Sequence, residues 1–356
     1  MERVSIHTLD DTAAWSAGLE RIPNKDLTHY PRFSRIYQEK GDGLAECFQY
    51  QANDLIVLYP YIRRPLAELS FLGESWAGRY DLVTPYCYGG YVHNAGDERA
   101  PGLIRDFRAA FSSHCRETGV VSEFIRFHPM LQNHRHGEGC FDRLYLHQNN
   151  VLMDLRVDEA ERVQGYRESY IHCIRKASAA GLRLELDREH NLVDVFAELY
   201  RRTMERHNQT GYLNLPHSYF LRLFENLRDD ILLFVVRDGD DIAAASIFLR
   251  HGDVLDYFLS ASDLRSLGKH PNHFMIHEVA SWAHDQGYRH LHLGGGRASL
   301  VFFKQGFSKG TCPYHIVHHV HDQEAYRRAT EARRTALPPV AEGGTGFFPT
   351  YREGLA

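Results

Sequence analysis

Long apolar runs are missing from this chain of 356 residues. No stretch approaches the roughly 20 residues needed to cross a bilayer. The opening MERVSIHTLDD lacks the charged, apolar and small-residue succession of a secretory signal. The expectation is a cytoplasmic protein with no membrane span. CxxC pairs are missing as well. Cys47, Cys87, Cys115, Cys140, Cys173 and Cys312 are scattered, which argues against a zinc module or a disulfide framework and fits a reducing compartment. Excess positive charge is absent, with a net charge of −5, so contact with a polyanion has to be local. Lysine is scarce, with only Lys25, Lys40, Lys176, Lys269, Lys304 and Lys309, and each therefore asks for a reason.

What is present is the composition of a globular protein, 43% apolar and 24% charged, long enough for two domains. Histidine is abundant, and HIVHHVHD at 315–322 looks at first like a metal tract. Strand alternation puts His315, His319 and His321 on one face and His318 on the other, which fits a polar strand edge; no metal is expected.

The same order of signals occurs twice. AECFQYQANDLIVLYPYIRRPL (45–66) reads as a hairpin turning at Asn53-Asp54, followed by the strand DLVTPYCYGGYV (81–92), a helix over 102–119 closed by glycine, and the strand VSEFIRFH. DILLFVVRDGDDIAAASIFLR (230–250) is a second hairpin, turning at Gly239-Asp240, followed by the strand VLDYFLSAS (254–262), a helix over 273–287 and the strand YRHLHLGGG. Between them, 158–187 reads as one helix ending near Gly181 and then a strand, and 192–208 and 217–230 have helical spacing. HDQEAYRRATEARRTAL (321–337) reads as a polar helix, and the aromatics Phe347, Phe348 and Tyr351 imply that the tail after it docks.

This element order matches the GNAT fold. IRKASAAGL (174–182), LYRRTMERHN (199–208), IAAASIFL (242–249), YFLSAS (257–262) and above all LGGG followed by FFKQGF resemble the Fem family of aminoacyl-tRNA-dependent transferases and its GNAT-like relatives. TPYCYGGYV and FFPTYREG extend the resemblance over nearly the whole chain. It implies an α/β (α+β) protein of two tandem GNAT-like acyltransferase domains, with mixed, mostly antiparallel sheets flanked by helices. Residues 1–150 would form a degenerate acceptor-side domain, 151–320 the catalytic donor-side domain, and 321–356 a helix and tail returning to the first. Two departures matter. The helical-hairpin arm with which peptidoglycan-type members read tRNA is absent. In 265-RSLGKHPN-272, His270 and Pro271 stand where acyl-CoA enzymes carry a small residue in the loop that cradles the pyrophosphate.

The resemblance implies transfer of an aminoacyl group from charged tRNA, as co-substrate, to a small amine or peptide acceptor, either a natural-product intermediate or a peptidoglycan precursor. No further cofactor is required. The alternative is an acyl-CoA-dependent N-acyltransferase using acetyl-CoA, and from another class a catalytically silent GNAT-like binding protein. Attack of an amine on an activated ester needs positioning and oxyanion stabilisation rather than a covalent nucleophile. Lys304, with Phe303 beside it, is the expected catalytic position: a cation among aromatics, either aimed at an oxyanion or snorkelling from a helix. Gly294, Gly295 and Gly296 would let ligand approach backbone. Arg175 and Lys176 would bind phosphates, Arg206 and Tyr257 would line the substrate, and Lys40 resembles a first-domain lysine that contacts the diphosphate of peptidoglycan precursors.

Overall fold

The computed structural model describes residues 2–208, 211–338 and 347–355. The chain divides into two units, residues 1–147 with 313–355, and residues 148–312. The first unit opens with β1 (Glu2–Thr8), α1 (Thr12–Glu20) and α2 (Pro31–Lys40). The Asp11 carboxylate caps α1 by accepting from Ala14 N, and α2 begins on proline and ends at Gly41 in the left-handed region. The predicted hairpin is β2 (Leu44–Ala52) and β3 (Leu55–Pro65), with Asn53 taking a positive φ at the turn. It is followed by β4 (Tyr80–Val83), β5 (Val92–His93), α3 (Ala100–Glu117) and β6 (Val120–Arg126). The apolar face of α3, with Leu103, Ile104, Phe107 and Phe111, packs on Phe48 and Tyr59 of the hairpin.

The second unit takes the C-terminal part of β7 (Arg143–Asp154) and continues through α4 (Glu159–Gln164), α5 (Glu168–Ala179), β8 (Arg183–Asp187), α6 (Val193–Arg206), α7 (His217–Leu227), β9 (Ile231–Asp238), β10 (Asp241–His251), β11 (Val254–Ser262), α8 (Pro271–Asp285), β12 (His290–Gly294) and α9 (Ala298–Lys304). The single helix expected from 158 is two: the chain breaks at 165–167, where Tyr166 is buried and Arg167 N donates to Gly306 O at 2.8 Å. Tertiary burial of an aromatic and one long-range backbone bond outweigh local helix propensity there.

Near its end the chain adds β13 (Thr311–Val320) and α10 (Gln323–Ala336). From Pro313 this segment belongs to the first unit, so residues 313–320, expected in the second domain, do not lie in the second unit. The first unit orders its strands β1-β2-β3-β4-β6-β13 and the second β7-β12-β11-β10-β9-β8. Within each, one parallel pair (β4 with β6, β11 with β12) interrupts an otherwise antiparallel sheet. Read from the strand before the hairpin, both lists give the same six-strand order, and the sixth place in each is filled by the strand that the other half of the sequence would supply. The tail packs on β4 and β6: Tyr351 Oη lies 2.7 Å from Ser122 Oγ, and Arg352 Nε donates to Asp81 Oδ2 at 2.5 Å. Residues 339–346 and 356 lie outside the described residues. No helix among the described residues is long and apolar enough to cross a membrane.

Candidate active site

β11 and β12 pair in parallel from Val254 and His290 to Asp256 and His292. Among the described residues the pairing stops there, while β11 runs on to Ser262 and β12 to Gly294. The two strands fork, and Lys304, Tyr257 and the glycine turn meet at the fork.

The three glycines each have a steric cause. Gly294 and Gly296 take φ of +74° and +130°, which side chains rarely adopt. A Cβ on Gly295 would lie 2.0 Å from the end of the Gln148 side chain and 2.5 Å from Asn150 Oδ1. Gln148 clamps the turn: with its amide nitrogen toward the carbonyl, it donates to Gly296 O at 3.1 Å and accepts from Gly296 N at 3.2 Å. The turn is thus held from β7, well over a hundred residues away in the chain.

Lys304 ends α9 and is only 5% exposed. It does not snorkel. Its ammonium donates to Gly295 O at 2.7 Å and lies 5.8 Å from the centroid of the Tyr257 ring. A buried ammonium held by a backbone carbonyl both secures the turn and fixes a positive charge at the fork. The neighbouring phenylalanines do not form a ring around it. Phe302 is exposed beneath the Arg167 guanidinium, whereas Phe303 packs against Tyr170, His273 and Phe307. Gly306 leaves the room that the Tyr170 ring occupies, since a Cβ there would fall 2.0 Å from it.

Tyr257 is half-buried on β11 against Phe248. Burial raises its pKa, opposed by hydrogen bonds from the hydroxyls of Ser260 and Ser246, so the phenol stays protonated at neutral pH. At the base of the fork lies a buried polar chain that sequence reasoning missed. His292, 1% exposed, has Nδ1 at 2.5 Å from Asp256 Oδ1 and Nε2 at 3.2 Å from the side-chain nitrogen of Asn150. This arrangement fits the tautomer that carries hydrogen on Nδ1. Alternation in HLHLGGG put His292 on a strand, but nothing local announced Asn150 as its partner.

The remaining expected residues divide. Arg206 reaches the end of β11, donating to Ser262 O at 3.1 Å. Arg175 and Lys176 are exposed on α5. Lys40 belongs to the first unit, where its amine is 2.5 Å from Asp42. The histidine tract is spread over separate partners: His315 stacks on His134, His318 on Phe348, His319 pairs with Asp142 and His321 with Glu123.

A family model described as an acetyltransferase (GNAT) domain matches residues 164–305. The fold is that of the FemX crystal structure, with a TM-score of 0.67 at 14% identity over 92% of this chain and 99% of that one. It is similar also to a conserved protein of unknown function from Bacteroides thetaiotaomicron (TM-score 0.55, 13% identity, 90% of this chain and 100% of that one). The L-PGS of Bacillus licheniformis is a further likeness (TM-score 0.52, 12% identity, 90% and 94%). No curated protein matches the chain. The matched acetyltransferase (GNAT) domain lies in the unit that carries the fork, and the fold of the chain is the one seen in FemX.

Proposed function

We propose that this protein transfers an aminoacyl group from charged tRNA to a small amine, a natural-product intermediate or a peptidoglycan precursor, forming an amide. The amine nitrogen attacks the ester carbonyl, the bond to the ribose oxygen breaks, and that oxygen takes up the proton the amine has lost. The observation that carries the reading is the buried charge of Lys304 beside the Gly294–Gly296 turn, at the open end of β11 and β12. Negative charge developing on the carbonyl oxygen is stabilised there more than the neutral ester is, which is what lowers a barrier. Tyr257, kept protonated by burial, is the group suited to return the proton.

The entrance of α8 supports a donor other than coenzyme A. A pyrophosphate cradle needs free backbone N–H groups at a helix start. Here Pro271 at the first helical position has none, and the N–H groups of His273 and Phe274 are directed at His270 O. The acetyltransferase description of the matched domain favours the second reading, transfer from acetyl-CoA.

The test is a single-turnover transfer assay with radiolabelled aminoacyl-tRNA beside one with acetyl-CoA. Binding of tRNA should weaken with salt by about 0.7–0.9 log units per log unit of salt for each phosphate neutralised. Arg175, Lys176, Arg328 and Arg334 are the basic side chains suited to this. Arg201 and Arg202 pair with Glu198, and Arg327 pairs with Glu324 and Glu331. Arg333 is buried and donates to Glu353 O. Tight, salt-insensitive binding of coenzyme A with no tRNA binding would overturn the proposal in favour of the second reading.

A further inference from the structure

We propose that Cys173, His270 and His273 form a binding site for zinc(II). Cys173 comes from α5, His270 immediately precedes α8 and His273 lies in its first turn. One ligand atom from each lies within 4.8 Å of the others. In a zinc tetrahedron, with Zn–S near 2.3 Å and Zn–N near 2.0–2.1 Å, neighbouring donors are about 3.3–3.6 Å apart. Closing the site therefore takes side-chain shifts of about 1 Å, within the freedom of three half-buried side chains.

Two further features fit a ligand set. Among the described residues none of the three side chains is engaged in a hydrogen bond, so their donor atoms are not committed elsewhere. The His273 ring is held edge-on by Tyr170 at 4.5 Å and Phe303 at 5.1 Å, the kind of apolar shell that orients a metal ligand and limits water. The His270 ring stands 5.6 Å from that of His273.

One sulfur and two imidazoles select zinc over magnesium or calcium, which take oxygen donors. Lys176 near His270 adds positive charge, and the thiolate formed when zinc displaces the Cys173 proton offsets it. Three protein ligands leave a fourth position for water or an incoming anion, the pattern of an open zinc site rather than a closed one. A bound ion would tie α5 to the entrance of α8. The inference stands independently of acyl transfer.

The experiment uses the full chain, stripped with a chelator and desalted, and titrated with zinc chloride by calorimetry. Cobalt(II) substitution reports the ligands, because a thiolate on cobalt gives a charge-transfer band in the near ultraviolet. One equivalent of zinc and that band are expected. Cys173→Ser should abolish the band and weaken zinc by at least about 100-fold, since even loss of an outer-shell partner costs 10–100-fold. His273→Gln should keep the band but weaken zinc similarly. Melting curves in chelator, superimposable for wild type and variants, establish that the apo fold is intact; a variant that fails this is replaced by the other. Absence of zinc binding by the wild type, or undiminished affinity in a folded Cys173→Ser, overturns the proposal.

Discussion

Lys304→Met keeps an apolar stem of similar length and removes the ammonium. On sequence grounds alone that change should spare the fold. The structure alters the expectation, because the ammonium donates to Gly295 O at 2.7 Å from a side chain only 5% exposed. A part-buried carbonyl that loses a charged partner costs about 1–3 kcal/mol. In a unit of this size each kcal/mol lowers Tm by about 2–4 °C, so the melting transition should fall by about 2–12 °C. Activity should fall further than stability can account for. At a temperature where the variant is fully folded, single-turnover aminoacyl transfer at saturating donor should drop by about 10²- to 10³-fold, the usual worth of one well-aimed oxyanion donor. Donor affinity should change much less, since the interaction is strongest in the transition state. The two readouts separate the two roles. A reduced Tm with unchanged turnover leaves Lys304 as the brace of the glycine turn alone and removes it from the chemistry. Unchanged Tm and unchanged turnover together refute the whole argument.

Gly295→Ala drives a methyl group toward Gln148 and the buried Asn150, and should cost about 1–3 kcal/mol by urea unfolding. Gln148→Ala should cost less in the Gly295→Ala background than in the wild type, because the closest atom belongs to Gln148; an equal cost in both would place the clash on Asn150. Asp256→Asn replaces an acceptor with an amide opposite His292 Nδ1, and should destabilise by about 1–3 kcal/mol, whereas an unchanged urea midpoint would mean the pair is not formed. The tail anchor gives a pH prediction. Burial pushes the Asp81 carboxyl up, but Arg64 and Arg352 outweigh it and its pKa ends below the usual carboxylate value. A depressed folded-state pKa contributes stability that is present above the unfolded value, about 3.9, and is lost as pH falls through the folded one. The stability gap between wild type and Asp81→Asn should therefore be constant above about pH 5 and shrink below pH 4; a gap that widens on acidification would contradict the assignment.

Much of the secondary structure was legible because its causes are local. Alternation and a two-residue turn define the hairpins at 44–65 and 231–251, apolar spacing with a closing glycine defines α3 and α8, and a left-handed φ needs glycine at 294 and 296 wherever the turn sits. The break between α4 and α5 was not legible, since it depends on Gly306 and on burying Tyr166. Neither was the partition of the last strands. A strand carries its alternation but no address, so nothing in 143–154 or 311–320 says which sheet will take it.

The candidate site divides along the same line. Lys304 stood out by its rarity and setting, and the glycines by their clustering. Which group the ammonium meets, that Gln148 clamps the turn, and that Asp256, His292 and Asn150 form one chain were decided only when β7, β11 and β12 were laid side by side. The same holds for Cys173, which lies about a hundred residues before the two histidines at the start of α8 and shares no local motif with them. Local chemistry follows from neighbours along the chain and can be read there. Convergence of side chains follows from sheet pairing and helix packing, whose energies depend on residues far apart, and only the tertiary structure states it.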